Sequence, residues 1–255
     1  MVKGIWDIMK ITSVNNDLVK ETAKLLQKKY REETGLFLVE GVKGIEEAIS
    51  SGLEIFRIFS VSGFEKFSQR IEASEAVLAK ISDAKTAPKA VAVVKQPVSD
   101  LKSFKNMHKV VLLEGIKDAG NLGTIIRSAA AFKIDGIVLY GDTVDLYNPK
   151  TVRSAVGNLW KLPVVEVNGE NKISELKAVF EKFEKLAALP KNENSVMLKD
   201  YIPSERVLVM FGSEADGLSD ELKAFADKNL TIEMSDNVES LNLSISAGVV
   251  MYSLF

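Results

Sequence analysis

The stretch "VVLLEGIKDAGNLGTIIRSAAAF", residues 110–132, joins a short apolar run to a glycine-containing loop and then to a helical pattern. This succession is typical of a buried strand followed by a helix in an α/β fold. The helix carries one arginine, Arg127, among small and apolar neighbours. Arginine keeps its charge in proteins, so burying it without a partner is costly. Arg127 therefore either points to solvent or is approached by an anion.

Further short apolar runs alternate with helical patterns after residue 108. The predicted strands are "VVLLE", "GIVLY", "PVVEV", "KLAAL", "VLVMFG" and "LTIEM". This alternation predicts an α/β fold with a mostly parallel sheet covered on both faces. Such sheets bind ligands beyond the carboxyl ends of their strands. The loops expected there are rich in glycine, asparagine, serine and acids: "EGIKDAGNLG", "GDTVDLYNPK", "FGSEADGLS" and "SDNVESLNLS".

The N-terminal part predicts a separate, small α/β domain of about 95 residues. One amphipathic helix capped by Asn16 is predicted over "NNDLVKETAKLLQKKYREE". Further predicted strands are "GLFLVEG", "EIFRIFSV" and "AVAVVKQP", and further predicted helices are "VKGIEEAISSG" and "EAVLAKIS". The polar segment "KQPVSDLKSFKN" follows. We therefore predict domains at residues 1–96 and 108–255, joined by a linker at 97–107.

Composition excludes several classes of site. The chain has no cysteine and a single histidine, His108, which rules out disulfides, thiol catalysis and cysteine–zinc sites. His108 directly precedes a predicted strand and is expected at the surface, and we expect no metal site. There is no run of eighteen apolar residues and no signal-peptide start. These features predict a cytoplasmic protein without membrane association.

The net charge of −2 does not indicate a nucleic-acid binder, but the distribution of charge is uneven. Residues 1–31 contain seven basic residues against three acidic ones, a surplus of four. The basic residues are Lys3, Lys10, Lys20, Lys24, Lys28, Lys29 and Arg31, and the acidic ones are Asp7, Asp17 and Glu21. This surplus fits either a solvated helix face or a surface that contacts nucleic acid.

The C-terminal segment "ESLNLSISAGVVMYSLF" predicts a helix with polar residues in its first turns. Its apolar face comprises Leu241, Ile245, Gly248, Val249 and Tyr252. Asn242, Ser244 and Ser246 can satisfy free backbone donors, hold a ligand or let another helix pack closely. Neither GxGxxG nor GxxxxGK[ST] occurs, so the usual dinucleotide and triphosphate fingerprints are absent.

Three of these segments, in this order, resemble the motifs of one enzyme family. "NLGTIIRSAAAF", "FGSEADGLS" and "VESLNLSISAGVVMYSL" are similar to the three motifs of the SpoU (TrmH-type) RNA ribose methyltransferases of the SPOUT superfamily. "YNPKTVRSAVGNLWKLPV" resembles the segment usually found between the first two motifs. The resemblance covers residues 108–255. The N-terminal part is similar to the small ribosomal-protein-like RNA-binding domain often fused in front.

The resemblance implies both a fold and a reaction. The parallel sheet would end in a deep trefoil knot that holds S-adenosylmethionine, and the domain would form a homodimer. The implied reaction is methylation of a ribose 2′-hydroxyl in structured RNA, with rRNA favoured over tRNA because of the fused front domain. The implied catalytic and substrate-positioning residues are Asn121, Arg127, Glu214, Ser240 and Asn242. The implied cofactor-binding residues are Phe211, Gly212, Ile232, Met234 and Leu241.

Two positions depart from the family pattern: Glu233 replaces the usual proline, and Lys133 replaces a common glycine. Residues 168–200 are interpreted as a surface elaboration. Arg127 would fix an RNA phosphate or accept the hydroxyl proton, unless it only pairs with a buried acid such as Glu214. Two other functions stay open: an inactive RNA-binding protein of the same fold, and an unrelated α/β enzyme acting on a small nucleotide.

Overall fold

The computed structural model describes residues 10–64, 66–67, 70–193, 195–235 and 237–254. The strands found in these ranges are β1 (Lys10–Ile11), β2 (Leu36–Glu40), β3 (Ile55–Ser60), β4 (Arg70–Ala73), β5 (Ala90–Lys95), β6 (Lys109–Glu114), β7 (Gly136–Tyr140), β8 (Val164–Val167), β9 (Glu184–Ala188), β10 (Ser195–Met197), β11 (Val207–Phe211) and β12 (Lys228–Thr231). The α-helices are α1 (Asp17–Lys24), α2 (Lys28–Thr34), α3 (Val42–Ser50), α4 (Glu75–Lys80), α5 (Ala119–Ala131), α6 (Pro149–Ala155), α7 (Lys172–Val179), α8 (Asp220–Phe225) and α9 (Leu243–Leu254). Two 3-10 helices span Leu101–Asn106 and Leu198–Asp200.

The chain folds as two compact units, and one internal segment belongs to the N-terminal unit. The first unit runs to Pro97 and also contains Asp145–Gly157, which includes α6. The second unit comprises Val98–Val144 and the chain from Asn158 onward. Helix α6 packs on β2 in the first unit. The polypeptide therefore leaves the second unit after β7 and returns to it before β8.

The first unit is built on a five-stranded mixed sheet in the order β1-β4-β3-β5-β2. Strands β1, β4 and β3 are parallel to one another, whereas β5 is antiparallel to both β3 and β2. Every residue of β5 except Lys95 is buried, as expected for a central strand. The three strands and two later helices predicted from the sequence of this unit are confirmed; β1 and β4 were not predicted.

The prediction of one continuous helix after Asn16 is wrong in one respect. Asn16 does cap α1, since its side chain accepts a hydrogen bond from Leu18 N at 3.0 Å. The helix stops at Lys24, however, and Gln27 adopts an extended conformation before α2 begins. The intervening turn buries Leu25 in the core, so packing of this side chain wins over the helical propensity of the segment.

Two ion pairs fix the segment 145–157 within the first unit. Arg31 is almost fully buried, and its guanidinium donates to Asp145 Oδ2 through Nε at 2.8 Å and also through Nη2. Arg31 Nη1 donates to the Leu25 carbonyl at 2.7 Å. Arg153 on α6 donates to Glu40 Oε2 at 3.0 Å, where the Glu40 side chain is only 3% exposed. Arg31 therefore serves this unit as a structural residue.

The second unit is built on a seven-stranded sheet in the order β10-β12-β9-β11-β6-β7-β8. All six strand pairings are parallel. Successive residues of β6, β7 and β11 are buried on both faces of the sheet, so both faces are covered. The six strands predicted after residue 108 and their parallel arrangement are confirmed. His108 is exposed, as expected.

The interpretation of residues 168–200 as a surface elaboration is wrong. This segment contributes α7, β9 and β10, and β9 lies between β12 and β11 in the sheet. Leu176, Phe180 and Leu186 are fully buried. The run "KLAAL", most of which lies in β9, was predicted as a strand, but the many surface lysines and glutamates concealed the apolar positions of α7 that face the core.

Helices α5 and α9 pack against each other and position polar residues of the C-terminal half. The Phe132 and Tyr252 rings meet edge to face with centroids 5.5 Å apart. Helix α5 begins at Ala119, where Asp118 caps it by accepting a hydrogen bond from Asn121 N at 2.9 Å. Asn121 therefore lies in the first helical turn. At the other end Lys133 has a φ of +49°, the left-handed conformation in which glycine is common.

Candidate active site

Three loops of the second unit meet beyond the carboxyl ends of their strands. They follow β6, β11 and β12, whose carboxyl ends lie at one edge because all strand pairings in the sheet are parallel. The side chain of Asn121 donates a hydrogen bond to Glu214 Oε1. Its carbonyl oxygen accepts one from Asn242 Nδ2 at 3.2 Å. Asn121, Glu214 and Asn242, here called the polar junction, thus link all three loops.

The polar junction is held by hydrogen bonds at the starts of two helices. Asp118 fixes the backbone of Asn121, as described above. Asn242 Oδ1 accepts from Ser244 N at 2.9 Å and from Ser244 Oγ at 2.6 Å, so Asn242 caps α9 while it reaches Asn121. The polar residues at the start of the C-terminal segment therefore both cap a helix and bind another loop.

The loop that carries Glu214 depends on a glycine for its shape. A Cβ atom at Gly212 would lie 1.9 Å from the carbonyl carbon of Gly217. Gly217 itself has a φ of +67°, and its N–H donates to Ser213 O at 3.0 Å. The chain thus folds tightly back on itself between these two glycines. Gly212 is required first by this backbone crossing, whereas the resemblance to the family implied only a role in cofactor binding.

Arg127 is exposed and lies outside the polar junction. Among the residues that the structure describes, the side chain of Arg127 has no hydrogen bond or ion pair. Glu214 bonds to Asn121 instead, so the hypothesis that Arg127 pairs with a buried Glu214 is wrong. The guanidinium faces solvent, where it can meet an anion from outside the chain.

The predicted cofactor residues lie on two of the same loops. Phe211 is buried at the end of β11, Ile232 and Met234 are half-buried, and Leu241 is 36% exposed. Ser240 is exposed, and in the described part of the chain its side chain has no hydrogen bond to the polar junction. The structure therefore brings Asn121, Glu214 and Asn242 together, and leaves Arg127 and Ser240 free of these contacts.

The loop from residue 232 to 242 has the properties of a binding segment. In the described part of this loop, one backbone hydrogen bond joins two residues of the loop, from Val238 N to Ser235 O at 3.0 Å. Peptide groups near Ile232 and Leu241 can therefore bond to a ligand, and half-exposed apolar side chains flank them. A purine nucleoside with a sulfonium-linked side chain needs apolar contact and a few backbone hydrogen bonds, so these residues fit such a group.

Sequence reasoning missed two residues that support the loop after β11 and the helix that follows it. Glu114 at the end of β6 accepts a hydrogen bond from Ser219 N at 2.7 Å. Tyr140 at the end of β7 donates to Glu221 Oε2 at 2.5 Å, and burial together with this bond raises the pKa of Tyr140. The sequence did contain a signal for Glu114, because it stands at the end of the apolar run "VVLLEG". A charged residue there lies next to the carboxyl ends of the strands, where ligands bind.

No helix in the described ranges is long and apolar enough to cross a membrane. The described residues also contain no group of three or more histidine, cysteine, aspartate or glutamate side chains that could hold a metal ion.

Two parts of the chain match models of known protein families. Residues 108–252 match the SpoU rRNA Methylase family, and residues 16–92 match the MRM3-like substrate binding domain. The chain belongs to the SpoU rRNA Methylase family. The resemblance seen in the three sequence motifs is thereby confirmed.

Individual relatives of this SpoU family member cover nearly its whole length. The 23S rRNA (guanosine(2553)-2′-O)-methyltransferase RlmP of Bacillus subtilis is 33% identical over 250 residues, which is 96% of this chain and 98% of that protein. The AdoMet-bound rRNA methyltransferase from Sinorhizobium meliloti superposes with a TM-score of 0.87 at 29% identity and 96% coverage of both chains. The SpoU methyltransferase AviRb from Streptomyces viridochromogenes, in complex with AdoMet, gives a TM-score of 0.83 at 26% identity, covering 94% of this chain and 97% of that one.

Proposed function

We propose that this protein transfers a methyl group from S-adenosylmethionine to a ribose 2′-hydroxyl of rRNA. The observation that carries the proposal is the polar junction, because Asn121, Glu214 and Asn242 come from the three family motifs and meet at the ligand edge of the sheet. Relatives named as 23S rRNA 2′-O-methyltransferases support this reaction and the choice of rRNA over tRNA. No feature of the site favours the alternative of an inactive binding protein.

The residues divide into two groups in this proposal. Backbone groups near Gly212, Ile232 and Leu241, with the side chains of Phe211 and Met234 beside them, bind the cofactor, which supplies a methyl group activated by a sulfonium. The second group, Asn121, Glu214, Asn242, Ser240 and Arg127, acts on the RNA.

Within the second group, Arg127 fixes an RNA phosphate next to the target ribose. The exposure of Arg127 and its lack of partners in the described residues support this role. Arginine holds its proton tightly, which makes it a poor general base, whereas its planar guanidinium binds phosphate through two hydrogen bonds. Positioning of this kind can supply several kcal/mol of a barrier reduction. Ser240, exposed beside Asn242, is assigned to RNA contact by its place in the motif.

The N-terminal domain, residues 1–96, would bind RNA, with residues 97–107 as a linker and 108–255 as the catalytic domain, apart from the segment 145–157 that folds with the first unit. Of the predicted basic surplus, Lys3 and Asp7 lie outside the described residues, and Arg31 is buried. Lys24 remains exposed with its ammonium 5.5 Å from the Tyr30 ring centroid, which gives a cation beside an aromatic surface. This pair supports RNA contact by this domain.

Point substitution tests this role better than deletion. Removing residues 1–96 would leave Asp145 and Arg153 without Arg31 and Glu40, so the deletion would also disturb 145–157. Lys24→Ala should weaken RNA binding and reduce its dependence on salt, with S-adenosylmethionine affinity unchanged. Unchanged RNA affinity of the Lys24→Ala variant over a range of salt concentrations would argue against the assignment.

The protein would act as a cytoplasmic homodimer whose catalytic domain contains a trefoil knot. The apolar face of α9 supports dimerisation, because Ile245 is 54% and Tyr252 is 69% exposed and Val249 is also exposed. A partner molecule would cover this face. Light scattering should give twice the monomer mass at micromolar concentration, and Ile245→Glu should give a monomer. A wild-type monomer would contradict the assignment.

A methylation assay tests the reaction itself. Purified protein, labelled S-adenosylmethionine and unmodified rRNA should give label at one ribose, detected as resistance of one phosphodiester bond to alkaline cleavage. RNA with a 2′-deoxy residue at that position is the control and should accept no label. Label on a base, or none on rRNA while tRNA is labelled, would overturn the proposed substrate.

A further inference from the structure

Residues 232–242, here called the β12–α9 loop, combine important side chains with little internal support. The loop carries Ile232, Met234, Ser240, Leu241 and Asn242, which serve cofactor and RNA in the proposed function. Most of its described residues are exposed, and one backbone hydrogen bond lies within the described part. Ordering such a loop on ligand binding costs conformational entropy. Contacts that hold its two ends before the ligand arrives therefore affect affinity.

Each end of the loop is held by a different contact. The later end is held by Asn242, which bonds to Asn121 in the polar junction. At the early end, Glu233 Oε2 lies 2.5 Å from Lys199 Nζ.

The sheet register explains why Lys199 and Glu233 meet. Strands β10 and β12 are parallel neighbours, and Met197 lies beside Thr231 in the ladder. Two residues beyond Met197, Lys199 lies in the 3-10 helix that follows β10. Two residues beyond Thr231 lies Glu233, which contacts Lys199. The same 3-10 helix also packs against α9. Lys199 therefore projects from the framework of the sheet, while Glu233 belongs to the loop.

The surroundings favour the charged form of both side chains. The hydrogen bond with Lys199 lowers the pKa of Glu233, and Lys191 lowers it further. The same bond raises the pKa of Lys199. Both side chains are more than half exposed, and exposed ion pairs contribute little to overall stability. An effect of this pair should therefore appear in the order of the loop rather than in the stability of the fold.

We propose that the Lys199–Glu233 ion pair positions the β12–α9 loop for S-adenosylmethionine without contacting the cofactor. This inference rests on the proposed function, which assigns Ile232, Met234 and Leu241 to the cofactor site. Breaking the pair should weaken cofactor affinity about two- to fivefold, the range expected for one exposed ion pair. The KM for cofactor should rise by a similar factor, while kcat at saturating cofactor stays unchanged, since the bound loop is the same.

Calorimetric titration of the full-length protein with S-adenosylmethionine tests the inference. The variants are Lys199→Met, Glu233→Gln and the charge-exchanged double variant Lys199→Glu/Glu233→Lys. Lys223→Met is the matched control, because Lys223 forms an exposed ion pair with Asp220 at 3.1 Å on α8, outside this loop. Each titration is run at low and at high salt, since screening weakens exposed ion pairs.

The inference is supported if both single variants lose affinity equally, the double variant regains it, the control matches wild type and the differences vanish at high salt. It is overturned if both single variants bind like wild type. Loss confined to Lys199→Met, with no rescue by charge exchange, would overturn it too, because Lys199 would then contact the ligand directly. Failure of the wild-type protein to bind the cofactor would refute the proposed function, and this inference with it.

Discussion

Substitution of Arg127 by alanine should separate catalysis from stability. The side chain is exposed and, in the described part of the chain, makes no hydrogen bond or ion pair. Surface substitutions of this kind usually change the free energy of unfolding by no more than about 0.5 kcal/mol. A buried arginine paired with a carboxylate would instead cost roughly 3–5 kcal/mol when removed. We therefore expect the melting temperature of Arg127→Ala to stay close to that of wild type.

The expected loss of activity follows from the contact that Arg127 would make with RNA. One hydrogen bond between charged groups contributes about 1.5–3 kcal/mol, so a two-pronged contact contributes about 3–6 kcal/mol. If this contact is fully formed only in the transition state, single-turnover methyl transfer should fall by roughly 10²- to 10⁴-fold. Arg127→Lys should recover little of the loss, because an ammonium cannot reproduce the planar two-pronged geometry.

Three measurements on each variant decide the matter: thermal melting, S-adenosylmethionine binding and single-turnover methylation at saturating RNA. Lys182→Ala is the control for loss of an exposed positive charge, because Lys182 precedes β9 at the opposite edge of the sheet. A stable, cofactor-binding and inactive Arg127→Ala protein is the expected result. A strongly lowered melting temperature, or near-full turnover by Arg127→Lys, would refute the role assigned to Arg127.

Three further substitutions test the structural account. Gly212→Ala should cost about 1–3 kcal/mol and abolish methylation, because its Cβ would collide with the Gly217 backbone. Gly248→Ala should not destabilise in the same chemical denaturation experiment, because its nearest contact would be at 3.9 Å and alanine is favoured over glycine inside a helix by up to about 1 kcal/mol. Arg31→Met should destabilise by roughly 3–5 kcal/mol, because it leaves Asp145 buried without its partner, and the exposed Lys28→Met variant should not. Burial alone would raise the pKa of Glu184, but hydrogen bonds from Lys228, Ser204 and Tyr201 lower it to about 2. The stabilisation of the fold that follows from this lowered pKa is present above about pH 4.5 and is lost as pH falls towards 2. Glu184→Gln should therefore lower the free energy of unfolding by at most about 3 kcal/mol at pH 7 and by much less at pH 3. A pH-independent difference would contradict that last assignment.

Strands were predictable where burial leaves a plain pattern. β6, β7 and β11 are apolar at every position inside the sheet, because both faces are covered, and continuous runs such as "VVLL" follow directly from that. β1 and β10 have two and three residues, too few to show any pattern. Such short strands depend on their neighbours in the sheet, which the local sequence does not contain.

Errors arose where tertiary packing decides between local alternatives. The helical pattern of residues 17–34 is real on both sides of Gln27, and only burial of Leu25 against the rest of the unit reveals the break. Leu176 in α7 and Phe180, which directly follows this helix, lie four positions apart and are both buried. That spacing was present in the sequence, but the surrounding lysines and glutamates hid it.

The identities of the site residues were predictable from motifs, whereas their partners were not. Asn121 lies 93 residues from Glu214 and 121 residues from Asn242 along the chain. Arg31 lies 114 residues from Asp145, and nothing in the local sequence distinguished this buried arginine from the exposed lysines beside it. Long-range pairs of this kind depend on the sheet order and register, which local patterns do not specify.

The geometry of α5 explains why an amide and a guanidinium are needed at its two sites. An amide is a neutral group that can donate to a carboxylate and accept from a second amide, and Asn121 does both, towards Glu214 and Asn242. A carboxylate at this position could not donate to Glu214 unless it were protonated. Arg127 lies six residues further along the same helix, about 9 Å along its axis, where the side chain is exposed. The helix α5 thus fixes the distance between the polar junction, whose hydrogen bonds are made within the protein, and the exposed guanidinium of Arg127, which needs an anion from outside. Binding of an RNA phosphate at Arg127 would therefore set the position of the neighbouring ribose relative to the cofactor loops.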